Sequence, residues 1–128
     1  MSDDVPAPNR RPTRHRPTAA EREAAVLELA RVRDRIDELD RRLVELLNER
    51  AALGRGAGHA KRVAGRRAVR DPEREREVLL RVAMANGGPL SQADLLSIYR
   101  RILGVTRALE NRDRTGDGRR TDDGRPRG

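Results

Sequence analysis

In residues 18–71, a stretch without proline, ten positions fall at alternating intervals of three and four. They are Leu29, Val32, Ile36, Leu39, Leu43, Leu46, Arg50, Leu53, Ala57 and Ala60. All but Arg50 are apolar. This spacing is the seam of a helix packed in coiled-coil fashion, because a repeat of 3.5 residues keeps one stripe facing a partner. Thr18, with Glu21 three residues on, forms a capping box at its start. A helix over about 19–63 would be roughly 65 Å long at ~1.5 Å per residue. A compact domain of about 90 residues is only roughly 30 Å across. The helix is about twice too long for a compact monomer, so the seam is expected to pair with a second chain. Gly54, Gly56 and Gly58 each cost about 1 kcal/mol relative to alanine inside a helix. A break into a loop near residue 54 is therefore the competing reading of this end.

Two shorter helices follow. Asp71-Pro72 is an N-cap with proline at the first helical position, and Val78, Leu79 and Val82 continue that helix to Asn86-Gly87-Gly88-Pro89. Ser91 caps the third, with Asp94 three residues on and Leu90 stapled to Leu95. Leu95, Ile98, Tyr99, Ile102, Val105 and Leu109 form its apolar face, which ends near Glu110. No segment alternates as a strand does. The expected class is all-α: one long helix and two shorter ones.

Composition sets the boundaries. The 128 residues hold one small domain, expected over 19–110. Residues 1–18 carry four of the seven prolines, and residues 111–128 contain no apolar side chain except Pro126. Both are expected to be disordered tails. No run approaches the ~20 apolar residues that span a bilayer. Tyr99 is the only aromatic residue, which argues against an aromatic-stacking RNA platform. Cysteine is absent, so there is no disulfide framework and no thiol nucleophile. With no apolar signal region at the N-terminus, a cytoplasmic protein is expected.

The formal charge of +8 suggests a polyanion partner at first. Its distribution weakens that reading, because each tail carries +2 and the middle +4, with no long basic block. More telling is the type of cation. Of 29 basic residues, Lys61 is the only lysine. Arg50 interrupts the apolar seam, where it either snorkels, sets a polar register or faces a ligand. Lys61 lies eleven residues beyond Arg50, on the same face and about 16 Å away along the axis. Their long side chains can converge on one small anion. Arg33 is about 25 Å from Arg50 along the helix and roughly 100° round it, so it reaches the same site only from a partner chain. At the start of the second helix, Arg74 offers a fork for a carboxylate, and Asp71 and Glu75 share a face that can accept from a hydroxyl. An ordinary solvated first turn explains the same charges. His15 and His59 stand alone, and no triad, zinc motif or phosphate loop is present. An enzyme built this way would work by positioning and charge stabilisation.

Over about 29–110 the chain resembles the all-α chorismate mutase domain. The resemblance rests on Val32-Arg33-Asp34-Arg35-Ile36-Asp37-Glu38-Leu39-Asp40, Leu46-Leu47-Asn48-Glu49-Arg50, Gly58-His59-Ala60-Lys61 and Asp71-Pro72-Glu73-Arg74-Glu75. Gly87-Gly88-Pro89-Leu90-Ser91 through Thr106-Arg107-Ala108-Leu109-Glu110 also fits. Most similar is the mutase domain often fused to prephenate dehydratase. The resemblance implies an intertwined helical homodimer that converts chorismate to prephenate by a Claisen rearrangement, without cofactor or metal, on the route to phenylalanine and tyrosine. It implies that Arg50, and Arg33 of the other subunit, bind the two carboxylates. Lys61 would hydrogen-bond the ether oxygen, and Glu75 would hold the ring hydroxyl with Asp71 beside it. Arg74 would support the site, Thr106 stands where the family often has serine, and Glu110 where it has glutamine or glutamate. A glutamate there must be protonated to donate to the ether oxygen. The three glycines depart from the family pattern and raise the expectation of a looser site around Lys61.

The same scaffold serves 4-amino-4-deoxychorismate mutase and isochorismate pyruvate lyase, which keep the carboxylate clamps. A complex with another shikimate-pathway enzyme, as a regulatory partner, is a further reading. A basic helical dimerisation module binding nucleic acid through its tails is the rival of a different class. Nucleic acid is the less favoured partner, because the charge is spread thinly.

Overall fold

The computed structural model describes residues 11–66 and 71–120, with Ser2, Val5, Pro6, Pro8 and Asn9, and side chains as far as residue 116. Arg70, the last eight residues of the expected C-terminal tail and parts of the expected N-terminal tail lie outside the described residues. Three helices form: α1 (Ala19–Val63), α2 (Pro72–Ala85) and α3 (Gln92–Arg120). No strand occurs among the described residues. The chain divides into two units, Met1–Arg41 and Arg42–Gly128, and α1 contributes to both.

In the first unit the capping box forms as the sequence predicts. The Thr18 amide donates to Glu21 Oε2 at 2.7 Å, and the Glu21 amide donates to Thr18 Oγ1 at 3.1 Å. Two of the donors that every helix start leaves unpaired are thereby satisfied. The seam residues Leu29, Val32, Ile36 and Leu39 are 44–48% exposed. Their regular spacing gives a continuous apolar stripe that this chain leaves open.

In the second unit α1 passes through Gly54, Gly56 and Gly58 without a break, which removes the loop reading. None of the three has a positive φ. Gly54 and Gly58 lie under side chains of α3, so tertiary packing offsets their poor helix propensity. The helix stops where Gly65 takes φ +78. The Gly65 amide donates to Arg62 O and the Arg66 amide to Lys61 O, the paired bonds of a Schellman end.

Helix α2 begins as expected: Asp71 Oδ1 accepts from the Arg74 amide at 3.1 Å, and Pro72 follows. Asn86 organises the turn into α3. Its side-chain oxygen accepts from the Gly88 amide, and its nitrogen donates to Leu90 O and Gln92 Oε1. Gly88 supplies the left-handed backbone, with φ +76. Ser91 Oγ accepts from the Asp94 amide at 3.1 Å and caps α3. Helices α2 and α3 pack against one another.

The end of α3 is a correction. The sequence places it near Glu110, but the helix runs to Arg120. Residues 111–120 have no apolar side chain, so hydrophobic periodicity carries no signal there. An ion pair to α1 ties the extension down instead: Arg55 Nε and Nη2 donate to the two Asp113 oxygens at 2.8 and 3.0 Å. Among the described residues Leu103 is the only buried hydrophobic, while Thr106, Glu110 and Gly58 are buried beside it.

Candidate active site

A cavity of about 320 Å³ lies within the second unit, between the C-terminal part of α1, the first turns of α2 and the middle of α3. It is lined by Arg50 and Lys61 from α1, Asp71, Arg74 and Glu75 from the start of α2, and Thr106 and Glu110 from α3. Seven of the eight residues expected at the site are thus brought together. The eighth, Arg33, is exposed on α1 in the first unit and does not line this cavity. That placement leaves open the expected donation from a partner chain.

The helical spacing explains the assembly. Arg50 and Lys61 sit three turns apart on one face of α1, and both reach the cavity between them. Thr106 and Glu110 are four apart on α3 and so share a face. Thr106 is 9% exposed and Glu110 7%, which makes them the most enclosed polar side chains of the cavity. Thr106 Oγ1 donates to Ile102 O at 3.1 Å and accepts from Arg50 Nη1 at 3.5 Å. The threonine hydroxyl thereby faces the guanidinium at the outer limit of hydrogen-bond reach.

Glu110 is held above the ordinary glutamate range. Burial is the main cause, and the Asp113 carboxylate pushes the same way, while Lys61 and Arg62 pull it down. Burial against apolar walls disfavours the charged form, and two nearby cations do not reverse that effect. The carboxyl packs against Gly58, where a Cβ would stand 3.0 Å from Glu110 Cγ and 3.2 Å from Cδ. The glycines are therefore not a loosening: Gly54 and Gly58 let α3 approach α1 closely enough to seat Thr106 and Glu110. Gly56 faces open space.

On α2 the carboxylates are already engaged. Asp71 caps the helix, and Glu75 Oε1 lies 3.0 Å from Arg107 Nε. Arg107 lines the cavity and escaped the sequence reading. Its only signal is its position beside Thr106, which the apolar periodicity of α3 does not mark. The pair is electrostatic rather than an aligned hydrogen bond, since Arg107 Nε is buried without a partner of good geometry. Arg74 turns its Nη1 to Glu77 Oε2 at 3.1 Å, so here its fork is engaged within its own helix. Leu53, Ala57, Val78 and Leu103 supply the apolar wall. The result is a small, partly enclosed chamber with cations at two ends, a carboxyl whose pKa burial raises and a carboxylate paired with arginine. Such a chamber suits a compact molecule with two negative groups and one neutral polar group.

Comparison with known proteins agrees. A family model described as chorismate mutase type II matches residues 32–111. The bifunctional chorismate mutase/prephenate dehydratase of Aquifex aeolicus is 37% identical over 89 residues, covering 66% of this chain and 24% of that protein. The proteins of the same name from Neisseria gonorrhoeae and Stutzerimonas stutzeri are 37% and 33% identical, over 61% and 65% of this chain and 21% and 24% of their own lengths. The chain spans about a quarter of the length of these curated relatives. It has three helices and no strand among its described residues, and no helix long and apolar enough to cross a membrane. The family match over residues 32–111, more than half of the chain, leads to one conclusion: this chain belongs to the type II chorismate mutase family.

Proposed function

We propose that the protein is a chorismate mutase, an isomerase that rearranges chorismate to prephenate. The observation that carries this reading is the convergence of Arg50, Lys61, Glu75, Thr106 and Glu110 on one cavity. Chorismate is a dianion that must fold from an extended form into a chair before its ends can react. Arg50 binds one carboxylate, and Arg33 of a second subunit binds the other. Cations at fixed spacing select the folded conformer, which removes most of the orientational cost of the reaction. As the ether bond breaks, negative charge builds on its oxygen. Lys61 and protonated Glu110 donate to that oxygen in a site drier than water, where such donors are most effective. An ionised Glu110 would be an acceptor facing an acceptor. Glu75 accepts from the ring hydroxyl, with Asp71 beside it and Arg74 supporting the helix start.

The homodimer is part of this reading. A stripe of seam residues from Leu29 to Leu46, each roughly half exposed, supports it, as does a single buried hydrophobic side chain among the described residues. A chain of this size rarely folds on so little core without a partner.

One observation supports chorismate over its 4-amino analogue. Glu75 is already matched by Arg107. A hydroxyl can share that carboxylate with the guanidinium, whereas an ammonium group would meet a cation there. The pair therefore favours the hydroxyl substrate.

The decisive experiment incubates purified protein with chorismate, follows the loss of its absorbance and identifies the product. Prephenate formation, lost in Arg50→Ala and Lys61→Ala while the dimer mass is unchanged, is the expected result. No turnover of chorismate, 4-amino-4-deoxychorismate or isochorismate would overturn the assignment. Binding to nucleic acid that weakens steeply with salt and survives Arg50→Ala would favour the basic-module reading instead.

A further inference from the structure

Gly54 of α1 lies directly against Thr106 of α3. A Cβ built on it collides with Thr106 Cγ2, closer than two carbon atoms can approach, and a second contact falls on Thr106 Cβ at 3.8 Å. The threonine methyl thus fills the space that a side chain at residue 54 would need. With its methyl held there, Thr106 has its hydroxyl fixed in one direction, between Ile102 O and Arg50 Nη1.

We propose that Gly54 is a positioning residue for the active site: it sets the rotamer of Thr106, and through the Thr106 hydroxyl the place of the Arg50 guanidinium. This rests on the reading of the cavity as a chorismate site. The fit is reciprocal. Threonine at 106 is compatible with this helix spacing because residue 54 has no side chain. Glycine at 54 remains inside a helix, despite its cost there, because the methyl covers it. Gly56, which no atom covers, shows that a glycine in this turn need not have such a partner.

With alanine at 54, two responses are open. α3 can move away by roughly an ångström, the distance needed to restore ordinary carbon contact. Alternatively, Thr106 can turn its methyl elsewhere and give up the bond to Ile102 O. Either response displaces the hydroxyl that faces Arg50 Nη1 at 3.5 Å, and misplacement on that scale costs roughly ten- to a hundredfold in rate. Removing the methyl relieves the collision but keeps the hydroxyl, so Thr106→Ser is the compensating change.

The test is a double-mutant cycle of Gly54→Ala, Thr106→Ser and the double variant, with kcat and KM measured separately on chorismate and Gly56→Ala as a helix control. The expected result is a fall of roughly tenfold or more in kcat/KM for Gly54→Ala. KM should contribute to that fall, because Arg50 clamps a carboxylate, and the double variant should recover most of the loss. A double variant no better than Gly54→Ala, or a Gly54→Ala protein as active as wild type, would overturn the proposal. If Gly54→Ala does not fold, the same cycle is read by thermal unfolding, and a double variant as unstable as the single one overturns it. If the wild-type protein turns over no substrate, the functional reading fails. The unfolding cycle then still decides whether the Gly54–Thr106 fit exists.

Discussion

Replacing Glu110 with glutamine tests the most unusual group in the cavity. The side chain is 7% exposed, packed on Gly58, and its carboxyl is shifted up by burial and by Asp113 against the pull of Lys61 and Arg62. The other charged groups around the cavity are Arg50 on α1, Asp71 at the N-cap of α2, Arg74 and Glu75 on α2, and Arg107 on α3. If the protonated form donates to the ether oxygen, kcat/KM follows the protonated population. Above the raised pKa it falls tenfold per pH unit, about 1.4 kcal/mol of transition-state stabilisation per unit. The fall should level off after roughly two to three decades, the usual worth of one such donor. Glutamine has nearly the same shape and donates at every pH in this range. The variant profile should therefore be flat, and the variant should overtake wild type on the alkaline side. Steady-state kinetics on chorismate from about pH 5 to 8, upward from the ordinary glutamate range, measures this directly. A flat wild-type profile, or a variant as steep as wild type, would refute the reasoning. Stability has the same sign. The folded carboxyl binds its proton more tightly than the unfolded chain does, so stability is lost as pH rises from the ordinary glutamate range through the raised value. Glu110→Gln removes that loss, and its melting temperature relative to wild type should improve with pH.

Asp113→Asn removes one cause of the Glu110 shift and frees the Arg55 cation nearby. The pH profile of kcat/KM should move to lower pH, and an unmoved profile would show that Asp113 does not tune the site. Gly56→Ala adds a Cβ that meets nothing, in a helical turn. It should stabilise the protein by ~0.8–1 kcal/mol, read as a rise of a few degrees in melting temperature at fixed protein concentration. Arg107→Met leaves Glu75 without its guanidinium. The ratio of turnover on 4-amino-4-deoxychorismate to that on chorismate should rise by roughly tenfold, and an unchanged ratio argues against selection by this pair.

The helices were legible in the sequence because each has a local physical signature. The heptad-spaced seam marks α1, Thr18 and Glu21 its start, Asp71-Pro72 the start of α2 and Ser91 the start of α3. The cations of the site were legible for the opposite reason. Arg50 breaks an apolar pattern, and Lys61 breaks the uniform use of arginine. Where the signature is absent, the reading failed. Residues 111–120 continue α3 with no apolar face, held by Arg55 and Asp113 across 58 positions of sequence. The helix expected through Gly54 and Gly58 forms although helix propensity argues against it, because their cost is a local quantity and their compensation is not. Sequence alone determined which residues carry charge, which faces are apolar and where helices begin. Only the tertiary structure decided that two glycines of α1 receive Thr106 and Glu110 of α3, that Arg107 pairs with Glu75, and that burial shifts the Glu110 carboxyl upward. Those outcomes depend on contacts between residues far apart in the chain, and the free energies of burial and charge pairing exist only once the helices have met.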